Sequence, residues 1–256
     1  MPTNHDLAQA SGPDGESLVL RAHEGGYVVL ANDQTWLSSG LRGSEADLVQ
    51  LALAPLRDRN DVNVLLGGLG LGHALRALLD DGRVTRVDVV ERCAPLVEWN
   101  RGPLATLHRE PPLGDRRAVV HEMDFGAFLR AVRYDPGLVY PPSLIAAPEA
   151  DPGLPSDHRG FFAIILDLDA GPSALARAEN GALYSEDGLR DLEEALRPGG
   201  VLALWASQRE PELLGRLRGR FQNVAEIAVP VDVPGRNLDY IYRCRRSPPP
   251  RGRAQA

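Results

Sequence analysis

Apolar and polar residues alternate across residues 18–37, where "SLVLRAHEGGYVVL" sets Leu18 and Leu20 on one side and Arg21 on the other. With Glu24, Gly25 and Gly26 supplying a turn, this predicts a β-hairpin. The period then lengthens. Ser44 followed by Asp47 reads as a capping-box start, and Leu48, Leu51 and Ala52 form the stripe of a linking helix that stops near Pro55. From there strand and helix patterns alternate, with strands predicted near 62–67, 84–91, 117–121, 161–167, 200–206, 223–229 and 237–243. Helical stripes fall between them, such as Ala74, Leu75, Leu78 and Leu79, or Leu189, Leu192, Ala195 and Leu196. This order predicts an α/β domain with a mostly parallel sheet covered by helices on both faces. The last two strands are joined only by "PVDVPGR", too short for a helical crossover, so they are expected to pair antiparallel.

The domain boundaries follow from the same pattern. Residues 1–16 read as a disordered N-terminus, 17–60 as the small hairpin region with its linking helix, and 61–245 as the main α/β domain. Two stretches lack periodicity: the proline-rich insertion 134–160 and the basic, proline-rich tail 246–256. The insertion runs from a helix to the next strand, so it should emerge at the amino end of the sheet, away from the carboxyl ends where α/β ligands sit.

Composition narrows the chemistry. The chain has 256 residues and is 43% hydrophobic, enough for one sizeable core. Its net charge of -7 argues against a nucleic-acid groove. With no run near ~18 apolar residues and no basic, apolar leader, a soluble cytoplasmic protein is expected. All 28 basic residues are arginine, which excludes the lysine of a P-loop and of a pyridoxal-phosphate site. The histidines show no HxxxH or HExxH spacing, so no metal is expected, and "GPSAL" lacks the second glycine of a nucleophile elbow. Cys93 and Cys244 form no CxxC and read as buried small apolar residues.

Candidate chemistry gathers at the carboxyl ends of the predicted strands. Gly68, Gly70 and Gly72 make G-x-G-x-G directly before a helix, a place where bare backbone lets a ligand approach. His73 stands where a dinucleotide fingerprint has its third glycine, which disfavours a pyrophosphate. Glu91 ends the next strand, 19 residues after Gly72, where a carboxylate can accept from both ribose hydroxyls. Asp124 follows the third strand and reads either as a contact to an adenine amino group or as the N-cap of the helix starting at Phe125. The fourth strand, "FFAIILDLDAGP", emerges into Asp167 and Asp169, which would converge on the mouth of the site if the extended geometry persists. Two desolvated carboxylates there point to a cationic ligand.

The runs "VNVLLGGLGLGHALRALL", "VDVVE", "VHEMDFGAFL", "AIILDLDAGP", "LYSEDGL" and "ALRPGGVLAL" together resemble the spermidine synthase-like group of class I S-adenosylmethionine-dependent transferases, over roughly residues 18–244. The resemblance implies a methyltransferase-like (Rossmann-like), seven-stranded sheet, a small N-terminal β-region, commonly a homodimer, and alkyl transfer from a sulfonium to an acceptor amine. It further implies that Glu91 binds ribose, Asp124 binds adenine, and Asp167 holds and deprotonates the acceptor, with S-adenosylmethionine or its decarboxylated form as cosubstrate. The chain departs from the family at three places. Leu71 stands where the family's "GGGDGG" has its aspartate; "SEADLV" replaces "DExxYH", leaving Leu48 and Val49 at two substrate-binding positions; and "DLDAGP" places its second acid one position earlier than "DSxDP". Three readings follow: an aminopropyl transferase, a methyl or aminocarboxypropyl transferase using intact S-adenosylmethionine, and a non-catalytic nucleoside-binding protein.

Overall fold

A computed structural model describes residues 4–23, 25–40, 43–134, 160–233 and 235–248. Most of the proline-rich insertion and of the tail lies outside the described residues. The main sheet is built from β5 (Val62–Gly67), β6 (Val84–Glu91), β7 (Ala118–Glu122), β8 (Phe161–Leu166), β9 (Leu196–Ala206), β10 (Gln222–Val233) and β11 (Arg236–Arg245). These seven strands lie in the order β10-β11-β9-β8-β5-β6-β7. β5 pairs in parallel with both β6 and β8, while β11 runs antiparallel to β9 and to β10. All six residues of β5 and all six of β8 are buried, which is why their sequences are predominantly apolar, with the one polar side chain, Asn63 of β5, bonded to Gly160 and Phe162.

Alternate strand residues divide the core into two layers. Val64, Leu66, Ile165, Ala203 and Ile241 pack with α1 (Glu45–Leu53) and α2 (His73–Asp80). Leu65, Ile164, Leu166, Leu204 and Tyr242 pack on the opposite side with α4 (Phe125–Tyr134), α5 (Glu186–Ala195) and α6 (Pro211–Arg220). Because β5 lies between β6 and β8, successive connections leave it in opposite directions. That switch point opens a crevice between the carboxyl ends of β5 and β8.

The N-terminal region is more extensive than one hairpin. It is a four-stranded antiparallel sheet of β1 (His5–Ser11), β2 (Ser17–His23), β3 (Gly26–Ala31) and β4 (Gln34–Ser38). The expectation of disorder over 1–16 is therefore corrected for His5–Ser11, which pairs with β2 along its length. β1 has few β-formers and is largely exposed, so its order comes from the edge it completes rather than from its own pattern. The sheet docks through Leu18, Leu20 and Val29 onto Leu96 and Trp99 of α3 (Ala94–Arg101) and onto Leu71.

Ser44 precedes α1 as expected, but its hydroxyl makes no cap bond. It donates instead to Asp239 Oδ2 on β11 at 2.7 Å, tying the linking helix to the main sheet. Both cysteines are buried and free. No helix among the described residues is long and apolar enough to cross a membrane.

Candidate functional site

The glycine loop lies at the switch point. Gly68 takes φ +91°, and a Cβ there would stand 2.4 Å from the carbonyl oxygen of Asp167, so the loop and the end of β8 touch through bare backbone. The Asp167 N–H donates to the Gly67 carbonyl at 2.9 Å, closing the same contact. Gly70, at φ +52°, is different: a Cβ would meet nothing within 4 Å, so its face is open to a ligand. Gly72 caps α2 in the left-handed region and packs against Asn100 and His108. Asn100 Nδ2 donates to the Gly70 carbonyl at 3.0 Å, so α3 holds the loop from beneath.

Glu91 stands beside this loop, 8% exposed. Its Oε2 accepts from the Leu69 N–H at 3.0 Å and its Oε1 from the Cys93 N–H at 2.8 Å. Burial raises its carboxyl above the ordinary range against the opposing pull of those N–H groups. A carboxylate oxygen can accept twice, so each retains capacity for a ribose hydroxyl. The residue thus shapes the loop. Glu91→Ala is expected to leave two N–H groups unpaired and cost about 2–4 kcal/mol. Glu91→Gln should cost distinctly less while still weakening nucleoside binding, which denaturant melts and calorimetry with methylthioadenosine would separate.

Asp124 is the N-cap of α4, its Oδ1 accepting from the Ala127 N–H at 2.8 Å. Its Oδ2 lies 3.6 Å from Arg177, whose Nε also donates to Asp14 in the β1–β2 turn at 3.0 Å. Arg92, next to Glu91, makes a two-pronged bond to the same Asp14 at 2.6 and 2.9 Å. The N-terminal sheet thereby reaches the rim of the crevice through side chains that no local pattern links.

The two acids after β8 separate. The strand ends at Leu166, so the extended geometry needed to bring Asp167 and Asp169 together does not persist. Asp169, 4% exposed, turns into its own loop, where its Oδ1 accepts from Ala176 N–H at 2.7 Å and Asn180 Nδ2 at 2.9 Å. Its Oδ2 accepts from the Tyr184 hydroxyl at 3.1 Å. It anchors the loop rather than converging with Asp167. A cleft bordered by Ser173, Tyr184, Glu210 and Arg216 adjoins this loop, but Glu210 is bonded to Ser173 and Arg216 to Glu212.

Asp167 has no hydrogen-bond donor on its carboxylate among the described residues. It keeps some surface access yet is enclosed by protein, and burial, reinforced by the Glu45 and Asp239 carboxylates, pushes its carboxyl up to about 7. Its neighbours follow from strand register. Leu166 pairs with Leu204, which brings Asp167 level with Trp205, and Trp205 pairs with Ile241, two residues from Asp239. Ala203 and Ile241 face α1 and α2, and so do Trp205 and Asp239; Asp167, just past the end of β8, lies close enough to Asp239 to feel its charge. Asp239 is 1% exposed and accepts from Ser44 and, at 2.8 Å, from Trp205 Nε1. The N-terminus of α1 adds Glu45, and that of α2 adds His73, held below the usual histidine range by burial.

Glu45, Trp205, Arg236 and Asp239 escape sequence reasoning. One signal was present: in "NLDYIY" Asp239 shares its strand face with core residue Ile241, an acid on an apolar side. Leu71 and Leu48 resolve differently, since both are buried in packing clusters and present no polar group. Val49 is buried likewise.

No family model and no curated protein matches the sequence. Solved structures do match. A spermidine synthase in complex with the transition-state analogue AdoDATO aligns with TM-score 0.65 at 15% identity, over 95% of this chain and 73% of that one. Spermidine synthase from Thermotoga maritima gives 0.65 at 16%, over 93% and 72%. A probable spermidine synthase from Corynebacterium glutamicum gives 0.59 at 14%, over 93% and 79%. The seven-stranded sheet with one antiparallel strand, preceded by a small antiparallel β-sheet, is therefore a spermidine synthase-like fold.

Proposed function

We propose that this protein transfers an alkyl group from an adenosyl sulfonium to an amine. The observation that carries this reading is Asp167: a carboxylate with no donor on it among the described residues, at the switch point, pushed up to about 7 by burial and by the charges of Glu45 and Asp239. An amine arrives protonated, since its pKa is near ~10. Asp167 binds it as an ammonium and accepts its proton. The freed nitrogen lone pair attacks the carbon on sulfur, the C–S bond breaks, and its electron pair returns to sulfur as a neutral thioether. In-line attack asks the protein mainly for alignment and a proton acceptor. Gly68, Gly70, Gly72, Glu91 and Asp124 would hold the nucleoside, and Asp169 would keep the loop beside Asp167 in place.

The donor we favour is decarboxylated S-adenosylmethionine, with aminopropyl transfer, supported by the likeness to a fold neighbour solved with AdoDATO. One observation favours intact S-adenosylmethionine: Leu71 is turned into the core and supplies no acid for a donor amine. Purified protein incubated with each donor and a panel of amines distinguishes the two. Methylthioadenosine release from the decarboxylated donor supports the first, S-adenosylhomocysteine supports methyl transfer, and neither product with any amine overturns the transferase reading.

A further inference from the structure

The Asp239 side of the site ends on a cation. Arg236, at the start of β11, places its Nε 2.5 Å from Asp239 Oδ1, with its side chain 30% exposed. Its guanidinium lies 5.5 Å from the centroid of the Trp205 ring. Neither Arg236 Nε nor Asp239 Oδ1 has an aligned hydrogen bond, so the contact is one of charge. Asp239 has already spent its other oxygen on Ser44 and Trp205.

The charges across the site are therefore unequal. At the Asp167 end, Asp167 feels the carboxylates of Glu45 and Asp239, so that end calls for an ammonium. At the far end Asp239 carries the Arg236 guanidinium against its other oxygen, a cation supplied by the chain itself. An acceptor held by its ammonium at Asp167 and lying over Trp205 brings its other end toward the guanidinium. A second ammonium would meet that like charge, whereas a carboxylate would complement it.

Resting on the amine-acceptor reading, we propose that Arg236 is a specificity-determining residue that makes the site select an amine with one positive charge and an anionic far end, against diamines. The probes are 4-aminobutyrate, butylamine and 1,4-diaminobutane, which share one chain length and differ in the far group. Calorimetric titration of each into the full chain with methylthioadenosine present reads binding without needing turnover. Binding of 4-aminobutyrate should exceed that of 1,4-diaminobutane by about tenfold or more, with butylamine between, the scale of one partly desolvated charge contact. In Arg236→Gln the preference should shrink by about tenfold. The proposal is overturned if the parent binds the diamine at least as tightly as 4-aminobutyrate, if the order is unchanged in Arg236→Gln, or if no probe binds. A correct binding order with no alkylated product from either sulfonium donor would sink the transferase reading alone.

Discussion

Replacing Asp167 with asparagine is expected to lower the transfer rate by about 10²–10⁴-fold, the usual range for loss of a general base. Nucleoside affinity should change little, because the glycine loop and Glu91 do not use that carboxylate. The same substitution should stabilise the protein above neutrality. An unfolded aspartate titrates near ~3.9, whereas Asp167 in the fold is pushed up to about 7. Between those values the folded chain keeps a proton that the unfolded chain has released. Its contribution is thus present below the lower value and lost as pH rises through the upper one. Allowing for the partial solvent access of Asp167, the loss is about 2 kcal/mol. An asparagine side chain cannot ionise, so Asp167→Asn should melt roughly 5 °C above the parent at pH 8 and level with it near pH 4. Thermal melts at the two pH values, beside product release and calorimetry, check all three statements. A variant that is equally active, or no more stable at pH 8 than at pH 4 relative to the parent, would remove Asp167 from the proposed role.

Two glycines only a turn apart should fail in opposite ways. Gly68→Ala puts a methyl 2.4 Å from the Asp167 carbonyl at a φ of +91°, where neither backbone can yield without disturbing the switch point. A loss of about 3 kcal/mol or more is expected, and Asp167 moves with it. Gly70→Ala meets no atom within 4 Å and carries only the strain of φ +52°. That strain is about 1 kcal/mol, so the variant should fold. Its methyl would then occupy the open face of the loop, and methylthioadenosine affinity should fall by about tenfold or more. Denaturant midpoints and calorimetry on both variants provide the contrast. Unchanged nucleoside binding in Gly70→Ala would mean that the ligand does not lie against that backbone.

Much of this arrangement is legible in the sequence. Predominantly apolar runs marked β5 and β8 because strands buried on both faces need no polar side. The short link between β10 and β11 forced their antiparallel pairing. The glycine spacing located the loop, since a backbone with φ above zero beside another backbone leaves little choice of residue. Asp124 shows how far such reading goes: the N-cap is formed, and the adenine contact remains a proposal.

The failures have a shared cause. Pairing Asp167 with Asp169 assumed an extended chain three residues longer than the strand that forms. Beyond Leu166 the chain turns, and three donors within its own loop capture Asp169. Similarly, the Ser44 hydroxyl was expected to cap its own helix, but an acid 195 residues away accepts it instead.

By itself, then, the sequence determined the kind of sheet and the glycine loop with Glu91 at the carboxyl ends of β5 and β6, because periodicity and turn chemistry act over a few residues. Only the tertiary structure decided what stands opposite. Asp239 acts on Asp167 from β11, where it holds Trp205 of β9 and Arg236, and Glu45 acts on it through the docking of α1. A local pattern specifies which way a side chain faces, but which distant strand lies beside it is set by the packing of the whole sheet.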